Sequence, residues 1–339
     1  MTMDMISTIL LILRGFGMRI VIAAMVAVAA AAPARAAGTG AAFLKNNLDV
    51  RSEAMGGGAQ ALVTGAAAAF KNPAGLARAQ SSEMLFSYSQ GLLGSSFQGV
   101  SYVHAGGSES VDEYRVSPSG IRNVGQATRA RTTFGAHAIY HEVGAIETTD
   151  ANFNGTGQVR PYNVEAGVTM ARNFRGASAG LSLKAIHQSL GVAEANSYAA
   201  DLGVMLPTGF RGLSLAGSIT NLGTPVRFAQ ESFSLPTASN IGLGYQTHFL
   251  RFVADVQSPM RGDGHSRLTF GTEFVPLNVL ALRLGYLNQL GGLDAGSGSG
   301  GSSGLGFGAG LMFGRYSLDY AIVPTAFEAT NKISLKMAF

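Results

Sequence analysis

Three short patterns in this chain carry residue types and spacings that could do chemistry, and each meets a physical objection. Gly56-Gly57-Gly58-Ala59-Gln60-Ala61 fits the loose G-x-G-x-x-A form of a dinucleotide-binding turn, in which backbone N–H groups cradle a pyrophosphate at a helix start. That turn needs a buried strand before it and an acidic residue about 20 positions later. Leu44 to Met55 is charged and does not alternate. Gly300-Gly301-Ser302-Ser303-Gly304 has the G-x-S-x-G form of a serine elbow but sits in a Gly/Ser run that reads as a flexible loop. His137 and His141 have the i, i+4 spacing of a helical metal pair. On a strand, at ~3.3 Å per residue, the same spacing holds them about 13 Å apart. No Ser-His-Asp set or carboxylate pair stands out, and cysteine is absent, which removes thiolate ligands and a thiol nucleophile. The reading is a protein that is not an enzyme, with no metal and no cofactor.

The elements that would hold these residues point elsewhere. Hydrophobic residues make up 47% of the 339 and charged residues only 13%, about half the usual share. Beyond residue 36, no run of 18 apolar residues could cross a bilayer as a helix. Apolar overall but without a helical span is what a barrel with alternating faces shows. The 46 glycines lower helix propensity throughout. With no tryptophan, an interfacial aromatic girdle has to be built from the 10 tyrosines and 19 phenylalanines.

Residues 1–36 read as a signal peptide: Arg19, an apolar stretch from Ile20 to Ala32, Pro33, and the small-residue site Ala34-Arg35-Ala36. Losing Arg14, Arg19 and Arg35 with Asp4 would lower the formal charge of +4 by two, which leaves no footprint for nucleic acid. From Glu83 onward, fourteen alternating segments are expected, near 83–90, 96–105, 132–143, 162–172, 177–188, 196–206, 212–221, 239–247, 249–257, 266–275, 279–289, 304–313, 315–323 and 332–339. Most match the roughly 9–11 residues of a tilted transmembrane strand. The number is even, as a closed bacterial barrel requires. Connections alternate between tight turns (Asn173–Gly176, Pro207–Arg211, His248, Pro276–Asn278, Gly314) and long loops (144–161, 222–238, 290–303). Connection 106–131 breaks this rule. It holds an extra hairpin or a periplasmic excursion, or the register differs there.

Alternation also sorts the faces. Ile333, Leu335, Met337 and Phe339 fall on one side of the last strand, and Lys332, Ser334 and Lys336 on the other. Lys184, Asp201, Arg251, Asp255, Glu273, Arg283, Asp319 and Lys336 all fall opposite the apolar face. A charge facing lipid at mid-depth costs roughly 2–4 kcal/mol, whereas a wet lumen tolerates it. Three opposite-sign neighbours are expected: Lys184 with Asp201, Glu273 with Arg283, and Asp319 with Lys336. They line a passage for solute or simply satisfy a packed lumen.

Residues 37–82 differ from the rest. They are Gly/Ala-rich, lack strand alternation and contain Asn72-Pro73-Ala74-Gly75, a turn in which Pro73 fixes φ and Gly75 takes the fourth position. An apolar segment placed before the first strand can fold into the barrel mouth as a hatch. Phe43, Met55, Leu62, Phe70 and Leu76 are then its candidate ligand-contacting residues, or the packing of the plug.

Arg51 with Met55 to Ala59, followed by Asn72 to Leu76, resembles the R-x-x-x-M-G-G-A segment and N-P-A-G-L turn of the PorV/PorQ family, a branch of the FadL-like outer-membrane barrels. Leu183-Lys184-Ala185-Ile186, Asp201-Leu202-Gly203, Asn221-Leu222-Gly223, Gly271-Thr272-Glu273, Leu282 to Tyr286 and Leu318 to Ala321 continue the resemblance in order. Two positions depart from it: Thr64-Gly65 stands where members often have an acidic pair, and Lys71 where an aromatic residue is usual. The resemblance implies an all-β chain, a transmembrane antiparallel barrel of about 14 strands over 83–339, with an N-terminal hatch and a place in the bacterial outer membrane. It implies a passive channel for small hydrophobic or amphipathic molecules, or alternatively a platform for secretion or cell-surface partners whose working surface is the long outer loops. Outer-membrane lipid and the barrel assembly machinery are the other partners implied, the latter because terminal Phe339 resembles its recognition signal.

Overall fold

The structure, a computed structural model, describes residues 39–339 apart from 92–93, 107, 118–119, 131, 151, 153, 175, 192, 209, 262–263, 291–303 and 325–328, and gives backbone alone for 108–130. The expected signal peptide and the Gly/Ser pattern at 300–304 thus fall largely or wholly outside the described residues. Twenty strands follow in chain order: β1 Glu83–Gln90, β2 Ser96–His104, β3 Ser108–Ser117, β4 Gly120–Ala130, β5 Thr133–Glu142, β6 Ile146–Thr149, β7 Gly155–Val159, β8 Tyr162–Phe174, β9 Ala177–Ser189 and β10 Glu194–Pro207. Then come β11 Leu213–Gly223, β12 Val226–Phe228, β13 Glu231–Phe233, β14 Ala238–Gln246, β15 Leu250–Pro259, β16 Ser266–Leu277, β17 Leu280–Leu290, β18 Gly304–Phe313, β19 Tyr316–Pro324 and β20 Ala329–Ala338.

Fourteen of them close into one antiparallel barrel, β1-β2-β5-β8-β9-β10-β11-β14-β15-β16-β17-β18-β19-β20. They are the fourteen segments expected from alternation. The seam joins the first and last strands, with Glu83 opposite Ala338 and Ser89 opposite Lys332, and the Phe339 N–H donates to the Ser82 carbonyl at 2.9 Å. The other six strands form three hairpins. The disobedient lower connection holds the extra hairpin β3–β4. β6–β7 and β12–β13 stand in the upper connections.

The outward face is apolar. Val168, Leu183, Ile241 and Leu284 occupy the middle of their strands and are exposed. Phe134, Phe174, Phe252, Phe274, Phe313 and Tyr316 are exposed near the lower ends, forming the phenylalanine and tyrosine girdle of a membrane interface. Tyr88, Tyr140, Tyr198 and Tyr320 do the same nearer the upper ends.

The inward face is lined with small residues because another piece of chain lies against it. Residues 39–82 fold into a short helix, α1 Val50–Glu53, and three 3-10 turns at Ala42–Lys45, Gly65–Phe70 and Pro73–Arg78. Leu48, Val50, Met55 and Leu76 in this segment are fully buried. After α1 the chain reverses through Gly56 and Gly57, whose φ values of 76° and 80° are open to glycine at little cost. Glycines around the barrel wall meet the segment directly. A Cβ at Gly203 would come within 2.0 Å of Asn72 Oδ1, one at Gly180 within 2.4 Å of the Pro73 carbonyl carbon, and one at Gly285 within 2.0 Å of Gly56 N. Glycine inside a strand often marks such a close approach of another backbone.

Gly203→Leu should therefore expel the turn at Asn72 while leaving the barrel closed. The protein should keep its heat-modifiable migration on a gel, yet trypsin should cut at Lys71 or Arg78 faster than in the wild type. Unchanged cleavage would mean that the wall tolerates the side chain.

Candidate functional site

Register alone creates the strongest polar cluster in the lumen. Arg251 pairs with Glu273 and Glu273 pairs with Arg283 on three adjacent strands, so one carboxylate lies between two guanidiniums on the same face. The fold adds a third. Arg51 of α1 reaches Glu273 through Nε to Oε2 at 2.8 Å and Nη2 to Oε1 at 2.9 Å. Arg283 donates from Nε to Oε2 at 2.7 Å, and Arg251 Nη1 also meets Oε1. Glu273 is 1% exposed. A charge so buried requires this degree of pairing.

Arg283 also reaches Asp319, Nη1 to Oδ1 at 2.7 Å, across β18. It can do so because Gly310 lies between them, where a Cβ would meet Asp319 Oδ1 at 2.5 Å and Arg283 Nη2 at 2.7 Å. This corrects the expected pairing of Asp319 with Lys336. Lys336 sits near the lower rim, its side chain 36% exposed, with Glu83 at 4.0 Å. The guanidinium is the better-placed partner because it is buried on the same side of a strand that offers no side chain in between.

A second network crosses β5 and β8 to β11. Lys184 Nζ lies 2.9 Å from Asp201 Oδ2 and 3.9 Å from Glu165 Oε1, and donates to Asn221 Oδ1 at 2.6 Å. His137 Nε2 is 2.9 Å from Glu165 Oε1. The Asn221 N–H donates to Asp201 Oδ1 at 2.7 Å, where the β10–β11 register shifts between Ala200 and Leu202.

Further ties hold the N-terminal segment to the wall. The Gln60 N–H donates to Asp255 Oδ2 at 2.9 Å. Lys332 Nζ contacts Glu53 Oε2 at 2.8 Å and donates to Asn46 Oδ1 at 2.7 Å. Asn72 is fully buried; its Oδ1 accepts from the Ala74 N–H at 3.1 Å and its Nδ2 donates to the Gln60 carbonyl at 3.3 Å. Pro73 and Gly75 follow in the same 3-10 turn, and a Cβ at Gly75 would strike the Val63 carbonyl at 2.5 Å. At the upper end Thr39 bridges to Ser234, just beyond the β12–β13 hairpin. Phe43 packs with Val226, Leu235 and Ile186. The 222–238 loop is thereby folded over the lumen.

Above the segment lies a cavity of about 640 Å³. Phe43 and Phe70 line it, as do Lys184, Asp201 and Asp255. Met55 and Leu62 instead pack with Ala59 and Val253, and Leu76 packs with Val63, Leu85 and Val103. Arg251, Glu273, Arg283 and Asp319 belong to the lower half, Lys336 to the lower rim and Phe339 to the outer surface. Sequence reasoning placed Lys332 on the inward face but passed over Glu53, Lys71, Glu165 and Arg267 as lumenal groups. Alternation in β8 and β16 carried the signal for Glu165 and Arg267. Nothing in the sequence could show that Glu53 and Lys71 face the cavity, because their segment has no periodicity.

Arg51→Ala should loosen the segment without unfolding the barrel. The loss should be well below the roughly 3–5 kcal/mol of breaking a fully buried pair, because Arg51 is about a quarter exposed and Glu273 keeps two arginines. Increased ion conductance in planar bilayers at unchanged assembly is the expected outcome. Glu273→Gln leaves three guanidiniums without their shared carboxylate, so the folded, heat-modifiable fraction should fall.

No protein-family model and no curated protein sequence matches the chain. Among solved structures, a TodX deltaS2S3 mutant described as a monoaromatic hydrocarbon channel is similar at TM-score 0.60 and 15% identity, over 86% of this chain and 98% of that one. The Pseudomonas putida toluene transporter TodX gives 0.57 and 14%, over 84% and 95%. The Ralstonia pickettii toluene transporter TbuX gives 0.58 and 13%, over 85% and 97%. At these identities the likeness shows the fold alone, a closed antiparallel β-barrel of the kind these channels have.

Proposed function

We propose that this chain is a passive outer-membrane channel for small hydrophobic or amphipathic molecules, with residues 37–82 as its hatch. The observation that supports this best is the cavity of about 640 Å³, walled by the upper barrel and floored by a segment that packing and polar ties hold inside the ring without making it one of the fourteen barrel strands. A solute entering from above meets Phe43 and Phe70 first, and passes when the hatch shifts its ties to Glu273, Asp255 and Lys332. The structurally similar proteins are described as hydrocarbon channels and toluene transporters, which favours solute passage over partner binding. The Arg51, Met55–Ala59 and Asn72–Leu76 motifs further favour the PorV/PorQ branch of FadL-like barrels. Phe339, its side chain outward and 58% exposed, would serve as the residue read by the barrel assembly machinery.

Purified protein in liposomes should accelerate entry of an alkylbenzene or a medium-chain amphiphile over empty vesicles, and deletion of 39–82 should raise the rate further. No flux from an inserted, heat-modifiable barrel, with or without the deletion, would sink the channel reading. Phe339→Ala should lower the amount of assembled barrel in outer-membrane fractions; wild-type amounts would remove the signal role.

A further inference from the structure

The lipid-facing surface of the barrel is not uniform. On its lower half, across β14 to β18, lies an apolar groove of about 470 Å³, within the roughly 300–1,000 Å³ of small-molecule sites. Register explains why it is there. On the outward face Ala254 stands opposite Phe270 and Thr272 opposite Phe252, so two short side chains sit diagonally amid aromatic ones. Between those rows the inward positions on β16 and β17 are Gly271 and Gly285, which pair with each other and leave bare backbone as the floor. That floor is closed. The ladders cross these rows without a register shift, and Met55 and Gly56 of the N-terminal segment lie directly behind the two glycines. A solute in the lumen does not reach this groove; lipid does.

At its lower corner the groove meets a positive rim. Leu213 and Tyr245 line that corner, and exposed Arg211 lies just before Leu213 in the turn from β10 to β11. The turn is fixed in place. The Gln246 N–H donates to the Gly212 carbonyl at 2.8 Å, and a Cβ at Gly212 would touch the Tyr245 ring at 3.4 Å. On the two neighbouring lower ends Arg172 and His248 are also exposed, with the Arg172 guanidinium 5.2 Å from the centre of the Phe174 ring. The turns 173–176, 208–212 and 247–249 hold no Asp or Glu. Exposed Phe210 and Phe249 place these cations at the depth of the aromatic girdle, where hydrocarbon gives way to headgroups.

We propose that this groove and rim form a docking site for one phospholipid of the periplasmic leaflet, with an acyl chain in the groove and its phosphate at Arg211. The short turns are the periplasmic end of such a barrel, and a phospholipid there brings the apolar and anionic parts together. The guanidinium offers the phosphate two parallel N–H donors. A rim without carboxylates has nothing to pair with an ammonium, so the site selects a net-anionic headgroup such as phosphatidylglycerol over zwitterionic phosphatidylcholine. This goes beyond solute passage and depends only on the barrel's place in the outer membrane.

The test is native mass spectrometry of the purified barrel released from mixed micelles that contain dioleoyl phosphatidylglycerol and dioleoyl phosphatidylcholine in equal amounts. Heat-modifiable migration first establishes that each variant is closed. Wild type should retain phosphatidylglycerol over phosphatidylcholine by roughly tenfold, the size expected for one charge-assisted hydrogen bond. Arg211→Gln should bring that ratio close to even. Ala254→Leu fills the groove and should cut retention of both lipids, with Thr272→Leu taking its place if the first variant does not close. An even ratio in wild type, or a ratio that Arg211→Gln leaves unchanged, overturns the site, as does undiminished retention once the groove is filled. Excess glycerol phosphate separates the lipid from its headgroup. Lipid that stays bound supports the site, whereas lipid displaced by the headgroup alone shows a bare phosphate-binding rim and overturns it.

Discussion

Hydrocarbon offers no hydrogen-bond partner to a peptide group, so every N–H and C=O in the spanning strands has to find one inside the protein. An open sheet would leave two edges unsatisfied in lipid, and closing the seam between β1 and β20 removes both. The rest of the architecture follows from that closure. Once the ring is shut, each strand has one face in lipid and one in the lumen. Period-2 alternation then becomes an energetic requirement. The exposed leucines, phenylalanines and tyrosines are the lipid's side of this division, and the buried charges are the lumen's.

Closure also creates an interior that has to be filled. In this chain the filling comes from residues 39–82, which contribute mostly small side chains and bring their backbone close to the wall. The wall answers with glycine at Gly180, Gly203 and Gly285, where even a methyl group would collide. Apolar packing joins the two at Leu76, Met55 and Phe43, and the polar ties added to it are unevenly distributed. The lower cluster around Glu273 draws three arginines to one carboxylate, and Lys332 gathers Glu53 and Asn46 further up. Such ties are separate from one another, unlike the continuous ladder of the ring.

The strands were legible because lipid imposes a strict pattern. The alternation in β20 and β19 can be read from Ile333, Leu335 and Tyr320 alone, and register follows from short turns such as that at Gly314. Lys184 with Asp201 and Glu273 with Arg283 were legible for the same reason, as neighbours on one face of adjacent strands. Asp319 was misassigned to Lys336 because its true partner lies one strand further away, across a glycine whose absent side chain is itself the route. The 106–131 connection was left open because a hairpin off the ring obeys no membrane pattern.

By itself, then, the sequence determined the closed barrel, the sidedness of its strands and the existence of a distinct segment before the first strand, because lipid on one side and water on the other write a period of two into every span. Only the tertiary structure decided how that segment sits. It brought Arg51 to Glu273, Lys332 to Glu53, and Phe43 and Phe70 to the cavity, while Met55, Leu62 and Leu76 went into packing. The two ion pairs join residues more than two hundred positions apart, and all of these placements depend on where short, aperiodic turns dock against a curved wall. No local pattern records that.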